Sequence, residues 1–170
     1  MPGNSNGPSP QPAAGLLLEQ LQRQLTTDYS DLVTAYHHAL QDTLFTNRSE
    51  LRPAMLGQIA AAEAKVVVAF LEQPVPATAT ERGVLLCQLG LSEYTLLALG
   101  NATRQYVLRH LQNTAAFGAL ETIDAYYRAV IHGFLQTREK IILSEQERIR
   151  SALQRTLGRY TVQIKVSTRG

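Results

Sequence analysis

The stretch from residue 113 to about residue 160 restricts the folds open to this chain, because it contains no proline and keeps apolar residues at helical spacing. It predicts one long helix of two parts. The first part, up to Leu143, has an apolar face broad enough to pack into a domain. That face comprises Phe117, Leu120, Ile123, Tyr127, Val130, Phe134, Leu135, Ile141 and Ile142. From Ser144 onward the stretch is mostly charged and polar. We expect core side chains before Ser144 and interface side chains after it.

A narrow apolar row continues through the second part of this helix. Leu135, Ile142 and Ile149 are spaced by seven residues, which is the repeat of a two-helix seam. Charged side chains flank the row, as they do beside such seams. The row predicts a homodimer interface, made by Leu135, Ile142, Ile149, Leu153, Leu157 and Tyr160. A single amphipathic helix folded back onto its own domain is the alternative.

The rest of the chain predicts shorter helices. Residues 1–12 are rich in Pro, Gly, Ser and Asn, which indicates a disordered tail. Residues 13–143 form the helical domain, beginning with a helix over 13–25, and residues 144–165 form an exit helix or coiled-coil linker. The tail after residue 160 alternates like a strand but has no second strand to pair with, so we expect frayed helix, disorder or a linker. The predicted class is all-α, with a globin-like or bundle packing.

Local signals fix several helix ends. Pro53 suits the first turn of a helix, and the Pro-Val-Pro at 74–76 ends that helix. Thr78 or Thr80 is then the expected cap of the next helix. Gly90 is its expected stop, and Ser92 is the expected cap of the helix that follows.

Composition excludes several classes of protein. The 170 residues include 16 basic and 14 acidic side chains with no basic block, which gives no argument for nucleic-acid binding. The single cysteine, Cys87, excludes an intrachain disulfide and a cysteine-based metal site, and we expect it to be a small core residue. The first residues do not have the pattern of a secretory signal, and we find no apolar run near the ~20 residues of a membrane span. We therefore expect a soluble cytoplasmic protein.

The histidines offer no metal site by spacing. His37 and His38 are adjacent on a helix, so their side chains point about 100° apart. A haem needs only one axial histidine, and His110 and His132 are the candidates. A haem-binding gas or redox sensor is therefore the alternative function, and otherwise we expect no cofactor.

Catalytic signatures are also missing from the sequence. It contains no G-x-S-x-G elbow and no glycine-rich phosphate loop. The carboxylates Glu63, Glu93, Glu121 and Asp124 occur singly at surface spacings, so we expect them on solvated faces. We therefore predict that the protein is not an enzyme and has no catalytic residues.

Two further hypotheses concern binding. Arg48 and Arg52 flank a turn before a helix, where they could neutralise the end of the preceding helix or contact an anion or partner protein. A small apolar ligand could occupy a pocket among five apolar residues. These are Phe70, Leu86, Leu97, Phe117 and Tyr127.

Three segments carry a resemblance to a bacterial sensor family. They read LFTNRSELRPAMLGQIAAAEAKVVVAFL, ERGVLLCQLGLSEYTLLALGNATRQYV and ILSEQERIRSALQRTLGRY. Over residues 28–160 the chain resembles the N-terminal region of stressosome co-antagonist (RsbR-like) sensors. The resemblance implies a globin-like fold without haem that dimerises and joins an output domain through its last helix. It implies no catalytic residues.

Together these observations predict a non-catalytic sensory and dimerisation domain of a bacterial signalling protein of the stress-response type. Its partners would be a second copy and a downstream output domain or signalling protein.

Overall fold

The computed structural model describes residues 29–47, 51–111 and 114–167, apart from the side chains of 114, 115 and 159–167. These residues form five α-helices and one 3-10 turn. In order they are α1 Tyr29–Asp42, the turn Leu44–Thr46, α2 Pro53–Glu72, α3 Pro76–Gln88, α4 Glu93–His110 and α5 Thr114–Ser167. No strand occurs within the described ranges, which confirms the predicted all-α class. The predicted tail 1–12 and helix 13–25 lie outside them.

The predicted long helix is confirmed as α5. It has 54 residues, and at 1.5 Å per residue it is about 80 Å long. Its backbone continues through the alternating residues 161–167 as helix, so no strand replaces it there.

Most predicted helix ends are confirmed, and one is wrong. Pro53 lies in the first turn of α2, Gly90 has a φ of 81° after α3, and the Ser92 hydroxyl accepts a hydrogen bond from the Thr95 amide. The start of α3 is at Pro76 rather than after Thr78 or Thr80. Proline is tolerated at the first helical position because the N–H that it lacks would have no partner there. Pro76, which cannot continue α2, therefore begins α3.

The helices α3 and α5 cross with their backbones in contact. A Cβ added at Gly83 would overlap the carbonyl oxygen of Val130, and a Cβ added at Gly133 would overlap the carbonyl oxygen of Thr80. Glycine at both crossing points therefore lets the helices approach to a distance that any other residue would prevent.

Burial along α5 ends earlier than the sequence indicated. Among the described side chains of α5 the last buried one is Phe134, and Leu135 is already 50% exposed. The prediction of core side chains before Ser144 is therefore wrong for the last nine residues, 135–143. Phe117, also predicted as core, is 73% exposed. The apolar pattern predicted the helical period correctly. It extended the buried face too far along the helix, because α5 projects beyond the helices that pack against it.

The helix α2 is long and apolar enough, by length and composition alone, to cross a membrane. The estimate that no run reaches that length is therefore corrected. This property is weak evidence of a span, because core helices share it. Within this structure α2 buries Leu56, Ile59, Val67 and Phe70 against the other helices, and it also buries the charged Glu63.

Candidate functional site

A set of polar side chains occupies the centre of the helical body, and we call it the polar core. All five helices contribute to it. Its members are Tyr36 of α1, Glu63 of α2, Arg82 of α3, Thr103 of α4, and Tyr126 and Tyr127 of α5. Five of these six side chains are buried, and Arg82 is nearly so.

The first half of the polar core is centred on Glu63, whose side chain has no exposed surface. Its Oε2 accepts a 2.7 Å hydrogen bond from Nε of Arg82, and its Oε1 accepts a 2.8 Å hydrogen bond from the hydroxyl of Tyr126. Phe70 packs edge-on against the Tyr126 ring. A buried carboxylate is tolerated only when it is paired and hydrogen-bonded, and here both oxygens have donors. The carboxylate thus holds α2, α3 and α5 together.

The second half consists of three hydroxyls. Oγ1 of Thr103 lies 2.6 Å from the hydroxyl of Tyr36 and 2.9 Å from that of Tyr127. The Thr103 hydroxyl also donates to the carbonyl of Leu99, at 2.8 Å. Because that bond uses its only proton, the lone pairs of Thr103 are left to accept from the two tyrosines. This half holds α1, α4 and α5 together.

The tyrosines of the polar core are neutral. Burial raises the pKa of Tyr36, Tyr126 and Tyr127 well above the ordinary value, and the nearby negative charge of Glu63 raises each of them further. They therefore act as hydrogen-bond donors and not as bases or nucleophiles at ordinary pH. The arrangement is suited to fixing helix positions.

The expectation that Glu63 lies on a solvated face is wrong. Its spacing from Leu56, Ile59 and Val67 places it on the same helical face as these buried residues, and that phase was a usable signal. The other three carboxylates are at least partly exposed, which is closer to the expectation of solvated faces. Asp124 is half-exposed and pairs with Arg104, and Glu93 pairs with Arg138. Glu121 is exposed.

The two candidate haem ligands lie apart from the polar core. His132 is exposed on α5. His110, at the end of α4, is half-buried and stacks on the ring of Tyr106 with a centroid distance of 4.4 Å. Haem ligation by either histidine stays a prediction, and the absorbance spectrum of protein supplied with haem would test it. Among the described residues, no three His, Cys, Asp or Glu side chains are grouped to hold a metal ion.

The turn before α2 is anchored to the start of α4. Oδ1 of Asn47 accepts hydrogen bonds from the amide of Ser92 at 2.8 Å and from the hydroxyl of Thr95 at 2.7 Å. The Thr46 hydroxyl lies 2.7 Å from that of Ser92. The polar residues of this turn thus have a structural role. Arg48 lies outside the described residues, and Arg52 is exposed at the N-terminus of α2.

The predicted apolar pocket is not formed. Leu97 and Phe117 are 60% and 73% exposed, whereas Phe70, Leu86 and Tyr127 are buried, so the five side chains do not line one space. Two other cavities open at the surface. One of about 740 Å³ lies between α1 and α4 and is lined by polar residues and alanines. One of about 490 Å³ lies where α5 leaves the body, with Cys87, Phe134 and Arg138 in its wall. Cys87 is half-buried there, less than expected.

The predicted interface residues of α5 are exposed in the single chain. Their exposed fractions are 50% for Leu135, 37% for Ile142, 58% for Ile149, 59% for Leu153 and 66% for Leu157. The side chain of Tyr160 is not among those that the structure describes. Between residues 142 and 150 every side chain is exposed, so no other described part of the chain covers this segment.

No protein-family model, curated protein or solved structure matches this chain.

Proposed function

We propose that this chain is a non-catalytic sensory and dimerisation domain of a signal-transduction protein. In this proposal, its last helix passes a change in the helical body to an output domain. One observation carries the proposal. The helix α5 contributes a side chain to each half of the polar core, and it is also the helix that extends beyond the body. Tyr126 and Tyr127 hold both halves of the polar core, and the same helix continues without a break to Ser167.

The adjacency of these two tyrosines supports a role in transmission. Tyr126 bonds to Glu63, and Tyr127 bonds to Thr103, so a rotation or slide of α5 would disturb both halves together. A helix carries such a displacement along its length because its backbone is hydrogen-bonded throughout. A signal would act by binding two positions of α5 with unequal affinity.

The apolar row of α5 supports dimerisation. We call the part of α5 from residue 142 onward, which extends beyond the body, the exit segment. Ile142, Ile149 and Leu153 lie on one side of it, and all three are exposed. Burying such a row against a second helix is favourable by roughly 25 cal/mol per Å² of apolar surface. A second copy presents the same row, as in a two-helix seam with its flanking charges.

The test is the association state of a doubly substituted chain. Replacing Ile149 and Leu153 with Asp places two like charges in the proposed seam and should convert a dimer into a monomer in analytical ultracentrifugation. The matched control replaces Ser144 and Ser151 with Asp, which adds the same charge on the opposite side of the helix. The control should remain a dimer, whereas a dimer in both variants would refute the seam.

A further inference from the structure

The smaller of the two cavities lies where α5 leaves the body, and we call it the exit cavity. Its volume of about 490 Å³ is in the range of about 300–1,000 Å³ that is usual for small-molecule pockets. The turn Leu44–Thr46, the end of α3 and the start of α4 contribute one wall, and α5 contributes the other. The cavity therefore bridges the body and the helix that we propose to carry the signal.

One stripe of α5 forms its wall of the exit cavity. Phe134, Arg138, Ile141 and Glu145 lie within about 60° of one another around the helix, at about 100° per residue. Along this stripe Phe134 is buried, Ile141 is half-buried and Glu145 is exposed, so the stripe leads out of the core to the start of the exit segment. The apolar row of the proposed seam is centred about 75° from the stripe. The exit cavity and the seam thus use different sides of α5.

The inner end of the exit cavity is apolar. Leu91, which precedes α4, and Phe134 are each 2% exposed, and Ile141 adds a half-buried side chain to the lining. Apolar surface that enters this end loses its contact with water, which is the dominant favourable contribution in most association. The inner end therefore suits a hydrocarbon or aromatic group.

The outer end of the exit cavity carries charge. Glu93 of α4 pairs with Arg138, and their side chains are 47% and 26% exposed. Glu145 also lines the cavity, and it forms no ion pair with any residue in the described part of the chain. Two carboxylates and one guanidinium therefore leave the lining with an excess of negative charge.

This charge balance favours a cation over an anion. An organic acid could reach Arg138 only in competition with Glu93, and it would meet the like charge of Glu145. An ammonium group would instead pair with Glu145. The ring of Tyr94, which is 68% exposed in the same lining, also attracts a cation to its face.

We infer that the exit cavity binds a small organic amine with an apolar body. The apolar body lies against Leu91, Phe134 and Ile141, and the ammonium group lies at the outer end with Glu145. This inference rests on the proposed function and deepens it, because it gives the signal a chemical class. A bound amine adds contacts between the body and the start of the exit segment, and so favours one position of α5 over another.

The test compares three probes that share one apolar body. They are 4-phenylbutylamine, 4-phenylbutan-1-ol and 5-phenylpentanoate, which carry a positive, a neutral and a negative group on the same phenylbutyl chain. In isothermal titration calorimetry the amine should bind roughly threefold to fivefold more tightly than the alcohol, the effect of one exposed ion pair. The acid should bind more weakly than the alcohol. An amine that binds no more tightly than the alcohol would overturn the inference.

Three single variants locate the site. Glu145→Gln should remove the preference for the amine over the alcohol. Glu139→Gln is the matched control, because it makes the same change at an exposed position outside the cavity lining, and it should keep the preference. Ile141→Ala should weaken the binding of the amine and the alcohol alike, because it removes part of the apolar wall. An unaltered preference in Glu145→Gln, or unaltered binding in Ile141→Ala, would place the probes elsewhere and refute the exit cavity as their site.

Hydrogen exchange tests the link between the amine and α5. Amides from residue 138 to residue 145 should exchange more slowly with the amine bound, by up to roughly tenfold at an amine concentration ten times the dissociation constant. Equal exchange rates with and without the amine would contradict the effect that we assign to it on α5.

The outcomes also separate this inference from the proposed function. A chain that dimerises through the exit row but shows no preference for the amine would refute the exit cavity as an amine site and leave the seam standing. A chain that binds the amine at Glu145 but is a monomer would support the amine site and refute the dimer.

Discussion

Arg82 is the residue on which the buried charge of Glu63 depends. Removing one partner of a buried ion pair leaves the other charge uncompensated, which costs about 3–5 kcal/mol. Arg82→Met keeps most of the side-chain volume and should lower the free energy of unfolding by about that amount in urea denaturation. Arg104→Met is the control, because its pair with Asp124 is about half-exposed and should cost less than about 1 kcal/mol. Equal losses of stability in the two variants would mean that burial of the ion pair does not determine the cost of breaking it.

The buried tyrosines predict a loss of stability at high pH. Their pKa values are raised in the folded chain, so above the ordinary tyrosine pKa of about 10 the unfolded chain binds fewer protons than the folded one. The stability that these neutral tyrosines contribute is therefore fully present below pH 10. Above pH 10 the free energy of unfolding falls, by up to about 1.4 kcal/mol per pH unit for each such tyrosine. Tyr36→Phe should make the fall between pH 10 and pH 11 shallower in urea denaturation. An unchanged slope would contradict the role of Tyr36.

The polar core also shows how far sequence reasoning reaches at this scale. Glu63 has the same helical phase as its buried neighbours Leu56 and Val67, so its burial could have been predicted from the pattern of α2. Its partners could not, because Arg82 and Tyr126 come from other helices. Nothing in helical periodicity determines which helices become neighbours.

At the scale of whole elements, the crossing of α3 and α5 depends on two glycines. A methyl group at Gly83 would overlap the backbone of Val130, so Gly83→Ala should lower the free energy of unfolding by about 1–3 kcal/mol, the usual cost of overpacking. Gly118→Ala is the control, because a Cβ there meets nothing within 4 Å. Alanine is the better helix former, so this change should raise stability by about 0.5–1 kcal/mol. Thermal unfolding of both variants gives the comparison, and a stabilised Gly83→Ala chain would show that the helices can separate freely.

Helix ends were predictable where a residue has one strong local reason for its position. Gly90 adopts a positive φ, and Ser92 supplies a capping oxygen, and both follow from side-chain chemistry alone. The burial of Phe117 was predicted wrongly because an apolar residue at the right spacing can serve either a core or an interface. Only the positions of the other helices distinguish the two.

At the scale of the whole molecule, α5 joins a packed body to an uncovered segment. Its buried side chains between Ile123 and Phe134 lie within the core, whereas every side chain from 142 to 150 is exposed. Isolated helices of this length are marginally stable in water. The exit segment should therefore depend on the partner copy for its stability, while the body does not.

Hydrogen exchange tests this division directly. Amides between Glu145 and Leu157 should exchange faster in the Ile149→Asp and Leu153→Asp chain than in wild type, because local opening of an unpaired helix costs little free energy. Amides of the core part of α5, residues 123–134, should keep their protection in both chains. The chain with Asp at 144 and 151 should behave like wild type. If the exit segment were equally protected in the monomer, its stability would come from the single helix itself, and a signal could pass along α5 without a dimer.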